Sequence, residues 1–240
     1  MKKNLLIFCI FCLSITSFAQ KTNTDLIFDA LNLKFSPKAL AEAKHDYDLA
    51  NDTIKAIMLK VYSMPMSSKA ELIENYEERS AEIENLVNEF NKSVPKDFIV
   101  SLEIRTKNDI LHTVEGIDLQ IFKKNPKGDP ILVDGDWDIE YDSDTLYNLL
   151  KIIGWDPMTF SGIKNMMQMA NCISLQNGDQ TEVGFARSGL GKYSYLVFPN
   201  TLLTVPQIKE FNDGCQYVYY KKNVVLKYTG GMAGPQCFTD

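Results

Sequence analysis

The sequence predicts an α+β protein, with a helical N-terminal part followed by a mostly antiparallel β-sheet. Between residues 36 and 92, apolar side chains recur every three or four positions, which is the spacing of amphipathic helices. From residue 98 onward apolar and polar side chains alternate, as they do in half-buried strands. We therefore expect an N-terminal antiparallel helical hairpin packed on a mostly antiparallel β-sheet that carries two or three further helices.

The first helix is expected from residue 36 to 61, and a second begins at Ser68, where Glu71 completes a capping box. Pro65 separates them, because Pro has no N–H and disfavours helix in the residue before it. Two interpretations of the hairpin stay open. Its apolar stripes cover the sheet, which we favour, or they present a surface to a partner. The stripe of the first helix consists of Leu40, Ala43, Tyr47, Ala50, Ile54, Ile57 and Val61.

Strands follow the hairpin, and two helices interrupt them, opening at Ser143 and at Asp156-Pro157. In the C-terminal part, Asn177-Gly178 and Lys222-Asn223 are predicted hairpin turns, and a short helix follows Thr204. The predicted strands cover residues 98–105, 111–122, 131–141, 172–176, 181–187, 193–198, 216–220 and 224–228.

The charge balance limits the classes of partner. The chain has 240 residues, of which 45% are hydrophobic and 23% charged, as in ordinary folded proteins. Its 25 basic and 31 acidic residues give a formal net charge of −6. Nucleic-acid binding and docking on anionic lipid both need clustered Lys and Arg. The acidic balance argues against both, so we expect no nucleic-acid partner.

Residues 1–19 have the pattern of a secretory signal peptide, with a basic start, a short apolar run and small residues at the end. Ser17 and Ala19 occupy the small positions, so cleavage is predicted before Gln20. The apolar run is shorter than the about 20 residues that cross a bilayer. The sequence therefore predicts an exported, soluble protein, periplasmic or extracellular, with no membrane span after cleavage.

The mature chain is predicted to have two regions. A helical hairpin region covers residues 20–95, and a mostly antiparallel sheet domain covers residues 96–240. Neither an internal repeat nor a low-complexity tract is present in the sequence.

Residues 134–144 carry an acidic side chain at every second position, alternating with Trp137, Ile139 and Tyr141. On a regular strand this pattern puts the carboxylates on one face and the apolar groups on the other. The run fails the Ca²⁺-binding EF-hand pattern, because Ile139 stands where Gly is required and Thr145 where Glu is required. We therefore predict a solvated outer face and no metal site.

A glycine-rich segment has part of the spacing of a phosphate-binding loop. Gly184 and Gly189 are correctly spaced, but Leu190 stands where such a loop has Lys, and strands lie on both sides. A hairpin turn is the better interpretation. Tyr and Arg are enriched at binding hot spots, so the residues around this turn form a predicted contact patch. It consists of Arg187, Lys192, Tyr193 and Tyr195.

Candidate catalytic groups are scarce. The chain contains two histidines: His45, on the polar side of the first helix, and His112, on a strand. The G-x-S-x-G signature of a serine hydrolase is absent from the sequence. A secreted hydrolase that uses dispersed carboxylates or a Cys172/His112 pair remains the alternative function.

Cys172, Cys215 and Cys237 remain after signal cleavage, and disulfides persist in exported proteins. We favour a Cys215–Cys237 disulfide, because the last hairpin returns the chain opposite Cys215 and a glycine-rich segment then lets Cys237 curl back. Cys172 then stays free and buried. The two pairings that involve Cys172 remain open.

Export, acidic charge and few catalytic candidates together predict a binding protein whose partner is another protein. An inhibitor or immunity protein that guards a compartment against a toxin or hydrolase is the sharpest form of this hypothesis. No cofactor is expected.

Overall fold

The structure is a computed structural model that describes residues 22–32, 37–106, 115–125, 128–189, 191–200, 202–229 and 237–238. The predicted signal peptide lies outside the described residues. The chain divides into two compact units, Met1–Leu49 and Ala50–Asp240. Within the described ranges, no helix has both the length and the apolar character needed to cross a bilayer.

The described residues form seven helices and one eight-stranded antiparallel sheet, which confirms the α+β class. The helices are α1 (Asn23–Asn32), α2 (Pro37–Leu49), α3 (Asp52–Tyr62), α4 (Lys69–Ser93), α5 (Asp144–Ile152), α6 (Pro157–Met169) and α7 (Val205–Glu210). The strands are β1 (Phe98–Arg105), β2 (Gly116–Lys124), β3 (Pro130–Ile139), β4 (Ser174–Gln176), β5 (Thr181–Ser188), β6 (Gly191–Val197), β7 (Tyr217–Lys221) and β8 (Val224–Thr229). Their order in the sheet is β3-β2-β1-β4-β5-β6-β8-β7, so β3 and β7 are the two edges.

The described part of the first unit contains α1 and α2. Ile27 and Leu31 of α1 and Leu40 of α2 are buried. The rings of Phe28 and Tyr47 meet edge to face, with centroids 5.4 Å apart. Aromatic and aliphatic burial thus holds this pair of helices together.

The predicted first helix is in fact two helices, α2 and α3. The helix is interrupted at Asn51, whose Oδ1 accepts a hydrogen bond from the Ile54 N–H at 3.0 Å. Asn51 is therefore the N-cap of a new helix, α3. None of the described α3 side chains is buried, and Ile54, Ile57 and Val61 are exposed. The favoured interpretation, in which this stripe covers the sheet, is therefore wrong for α3.

The second predicted helix, α4, does cover the sheet. Ser68 and Glu71 form the predicted capping box, with both reciprocal hydrogen bonds present. The apolar face of α4 packs with α6 and against one face of the sheet. Arg79 has non-helical backbone angles and kinks α4 at its middle. The fully buried side chains of α4 are Leu72, Ile83, Leu86 and Phe90.

The main core lies between the sheet and helices α4, α5 and α6. Alternate residues of the central strands point into it, so each strand contributes one of its two faces. Trp155 closes one end, where its Nε1–H donates to the Ser93 carbonyl at 2.9 Å. The strand residues in this core include Val100, Leu102, Leu119, Ile121, Leu175, Val183, Tyr195 and Leu226.

On the opposite face of the sheet, α7 covers a smaller apolar cluster. Leu196 and Val225 come from β6 and β8, and Phe198 and Leu203 precede α7. Thr204 caps this helix as predicted. Elsewhere this face carries the charged side chains of Glu103, Arg187 and Lys192.

A disulfide joins Cys215 to Cys237, the pairing favoured from the sequence. It places Phe238 against the stacked rings of Tyr193 and Tyr228, at centroid distances of 5.5 and 5.9 Å. Cys172 is free and buried. The disulfide therefore fixes an aromatic side chain over the end of β6 and β8.

Candidate functional site

Two of the four predicted contact residues come together on the face of the sheet opposite α4. Arg187 binds Glu103 through Nη2–H and Nε–H, at 2.6 and 2.7 Å from Oε1. Lys192 Nζ lies 3.5 Å from the other oxygen of Glu103. The Glu103 side chain is buried, so its carboxylate needs both cations. Gly184 leaves space for Lys192, because a Cβ there would lie 2.9 Å from the Lys192 Cδ.

Lys192 also donates to Ser174 Oγ at 2.9 Å. Serine–lysine pairs act as nucleophile and base in some hydrolases. Here Ser174 is buried, and Lys192 donates to it while lying 3.5 Å from the Glu103 carboxylate. This geometry supports a structural role for the pair.

Tyr193 and Tyr195, the other two predicted contact residues, are buried in the main core. The Tyr195 hydroxyl donates to the Leu72 carbonyl at 2.7 Å and accepts from Asn75 Nδ2 at 3.2 Å. Burial raises the pKa of Tyr195. Odd-numbered residues of β6 face the helices and even-numbered ones face the other way, so the four residues do not form one surface patch.

Sequence reasoning missed a buried amide network in the N-terminal half of α4. Asn75 donates to the Ala170 carbonyl at 3.2 Å and accepts from Asn171 Nδ2 at 2.9 Å. Asn171 has a φ of +50°, a left-handed conformation that Asn tolerates. The available signal was an Asn within the apolar stripe of a helix. The network connects α4, the end of α6 and β6.

Of the Cys172/His112 pair proposed for the alternative hydrolase, the structure describes Cys172. Burial raises the pKa of the Cys172 thiol to about 12, so the reactive thiolate is disfavoured near neutral pH. His112 lies outside the described residues, and His45 is exposed on α2. Within the described ranges, no group of three or more His, Cys, Asp or Glu side chains is arranged to hold a metal ion.

The edge strand β3 carries the exposed large apolar side chains of the described sheet. Eight of its ten residues are exposed, and only Ile139 is buried. Large apolar side chains are usually covered in a sheet, yet Ile131, Leu132, Val133 and Trp137 are 56, 54, 45 and 62% exposed. Such contiguous apolar exposure is typical of interaction sites.

The acidic alternation predicted for this strand is interrupted by two register shifts in its pairing with β2. Asp138 adopts a left-handed conformation with a φ of +58°. Arg105 fixes this distortion by binding Asp118 at 2.9 Å and Asp138, while the Asp138 N–H donates to Asp118 at 3.0 Å. The predicted segregation of carboxylates on one face and apolar groups on the other is therefore wrong, and Trp137 is displayed among exposed aspartates.

The carboxylates of two aspartates in β3 also accept hydrogen bonds from backbone N–H groups of the same strand. The Gly135 N–H donates to the carboxylate of Asp134 at 2.8 Å, and the Trp137 N–H donates to that of Asp136 at 2.9 Å. A ninth strand added at this edge would compete with these carboxylates for the N–H groups. Gly135 lets β3 approach β2 closely, since a Cβ there would lie 2.8 Å from the Leu119 carbonyl oxygen. Two backbone donors of β3 are thus already occupied, at Gly135 and Trp137.

Comparisons with protein-family models, with curated proteins and with solved structures give no match to this chain.

Proposed function

We propose that this protein is exported and acts by binding another protein through β3. The observation that carries the proposal is the exposure of Ile131, Leu132, Val133 and Trp137 on an edge strand. Covering these side chains favours association through the hydrophobic effect, at about 25 cal/mol per Å² of apolar area buried. Trp is also the residue type most often found as a binding hot spot.

The charge around these side chains indicates the chemistry of the partner. Asp134, Asp136 and Asp138 are exposed beside the apolar groups, and the chain has a net charge of −6. A partner with an apolar pocket bordered by Lys and Arg would complement this surface. Opposite charges at the rim of an interface accelerate association and exclude wrong partners.

Recognition is proposed to use side chains, because Asp134 and Asp136 already bind the N–H groups of the residues that follow them. Strand addition would have to displace both carboxylates. The partner is therefore expected to offer a pocket for Trp137 instead of an extended segment.

Export is the second part of the proposal. Its support is the basic and apolar N-terminal pattern together with the Cys215–Cys237 disulfide, since disulfides persist in oxidising compartments. An acidic exported protein that engages a basic partner suits an inhibitor or immunity protein, which acts by occupying the surface of a toxin or hydrolase.

Site-specific photocrosslinking in the organism that makes the protein tests this function. A photoreactive phenylalanine derivative replaces Trp137 in one variant and Val205 in the control, because Val205 is 80% exposed on α7. We expect a discrete crosslinked protein from position 137 that position 205 does not give. Mass spectrometry identifies that protein for direct binding measurements.

With the purified partner, Trp137→Ala is expected to weaken binding about 30-fold, the minimum for a hot spot. The double variant Asp134→Asn/Asp136→Asn keeps the amide oxygens as acceptors but removes both charges. It is expected to slow association, most clearly at low salt. Identical crosslinking from positions 137 and 205, or unchanged affinity in Trp137→Ala, would show that β3 is not the binding site.

A further inference from the structure

A polar cleft of about 650 Å³ lies between the C-terminal half of α4 and one end of the sheet. Its other walls are the turn between β4 and β5, the residues that follow β6, and the turn between β7 and β8. Clefts that take small molecules have volumes of about 300–1,000 Å³. The residues that line this cleft belong to elements other than β3, so the cleft is a feature separate from the proposed protein-binding strand.

The walls of the cleft are fixed by amide side chains. Asn177 accepts from the Val100 N–H at 2.7 Å and donates to the Phe98 carbonyl at 3.0 Å, which ties the β4–β5 turn to β1. Asn223 donates to the Phe198 carbonyl at 2.7 Å. Because the backbone around the cleft is held before any ligand arrives, little entropy is lost on ordering it.

Four further polar side chains of the cleft have no partner within the part of the chain that the structure describes. They are the carboxamides of Asn88 and Gln180 and the ammonium groups of Lys96 and Lys222. Asp179 pairs with Lys124 at 2.8 Å, and Glu84 is the other carboxylate in the lining. The cleft therefore combines uncommitted amides with two ammonium groups that have no carboxylate partner among the described residues.

We propose that this cleft binds an acidic oligosaccharide, a short chain of sugar units that carry carboxylates. Each free carboxamide offers donors and an acceptor, which matches hydroxyl groups that both donate and accept. The two ammonium groups match the carboxylates through charge-assisted hydrogen bonds. Val87, Val197 and Pro199 line the same cleft and supply apolar contact for the C–H faces of sugar rings. A single phosphate would leave most of this volume and both amides unused.

Isothermal titration calorimetry tests the proposal on the purified protein. The probes are trimers of galacturonic, glucuronic, mannuronic and guluronic acid, together with the corresponding neutral sugar trimers. At least one acidic trimer is expected to bind more tightly than its neutral counterpart. Lys96→Met and Lys222→Met are each expected to weaken that binding about tenfold, the usual size of one charge-assisted hydrogen bond. Neutral trimers are expected to bind these two variants and the unmodified protein equally.

Lys151→Met is the matched control, because Lys151 is an exposed lysine of α5 outside the cleft. It is expected to leave the affinity unchanged. Gln180→Leu is expected to weaken the binding of acidic and neutral trimers alike, by about fivefold. The proposal fails if no acidic trimer binds, if Lys151→Met weakens binding as much as the cleft variants, or if triglutamate binds as tightly as the best acidic trimer.

Discussion

Strands β6 and β3 share a short alternating stretch of sequence but lie in opposite environments. Both alternate aromatic or aliphatic side chains with polar ones, Tyr193 and Tyr195 in β6 and Trp137 and Ile139 in β3. Six of the seven residues of β6 are buried, whereas eight of the ten in β3 are exposed. An alternating pattern therefore identifies a strand without showing where in the sheet that strand lies.

The difference in burial between β6 and β3 follows from the strands and helices that surround each of them. β6 lies between β5 and β8, with α4 on one face and the α7 cluster on the other. Within the described sheet β3 pairs with β2 alone, and it contacts helix α5. A central strand is covered by elements distant in the sequence, and an edge strand has fewer of them.

The largest expected effect comes from removing a ring of β6. Tyr195→Ala leaves a cavity in the main core and is expected to destabilise the protein by about 3–5 kcal/mol. Tyr195→Phe keeps the ring but removes the hydroxyl that binds Asn75 and the Leu72 carbonyl. It is expected to lower the free energy of unfolding by about 1–3 kcal/mol. Urea denaturation measures both. Equal stability of Tyr195→Ala and the unmodified protein would mean that β6 is not the central strand described here.

The disulfide comes next. Cys215→Ser/Cys237→Ser is expected to lower the free energy of unfolding by about 3 kcal/mol, because the disulfide restricts the unfolded chain and holds Phe238 against Tyr193 and Tyr228. Reduction of the disulfide in the unmodified protein should lower its denaturation midpoint as much as the double substitution does. A midpoint that responds to neither change would exclude a stabilising role for this tail.

A charge pair beside β6 gives an intermediate effect that depends on pH. Burial opposes ionisation of Glu182, but Lys227, at 2.5 Å, and Lys192 outweigh it and lower its pKa. Because the pKa of Glu182 is lower in the folded state, its ionised carboxylate stabilises the fold at pH values above the ordinary pKa of 4.5. This stabilisation is lost as the pH falls below 4.5 and through the lowered pKa.

Glu182→Gln is therefore expected to cost about 2 kcal/mol at pH 7 and progressively less below pH 4.5. Thermal unfolding from pH 3 to pH 7 gives the difference between the two proteins. A difference that stays constant over this range would contradict the role of the carboxylate charge.

The smallest effect is expected in β3. Trp137→Ala removes an exposed ring and is expected to change stability by no more than about 0.5 kcal/mol. Urea denaturation beside Tyr195→Ala makes the comparison direct. A loss above about 1 kcal/mol would place the Trp137 ring in the fold instead of on a binding surface.

Local signals predicted several elements to within a few residues. The Ser68 capping box, the caps at Ser143, Asp156 and Thr204, and the turn at Lys222-Asn223 are all present. These features depend on hydrogen bonds between residues close together in the chain, so a short stretch of sequence contains all the groups involved.

The candidate surfaces were less accessible to prediction. Tyr193 and Tyr195 were expected beside Arg187 and Lys192, but the pleat sends the tyrosines to the other face. The exposed strand β3 was interpreted as a half-buried one. The residues of the polar cleft come from segments more than a hundred positions apart, and no local pattern relates Asn88 to Lys222.

The sequence by itself determined the α+β class, the helix caps and the turns of this protein, because periodicity and capping are local properties of the backbone. It also favoured the Cys215–Cys237 pairing, since one hairpin brings the two ends near each other. Tertiary structure alone decided which apolar stripes are covered, α4 and not α3, and which strand is central, β6 and not β3. Burial depends on contacts between distant segments, and those contacts exist only after the whole sheet has assembled.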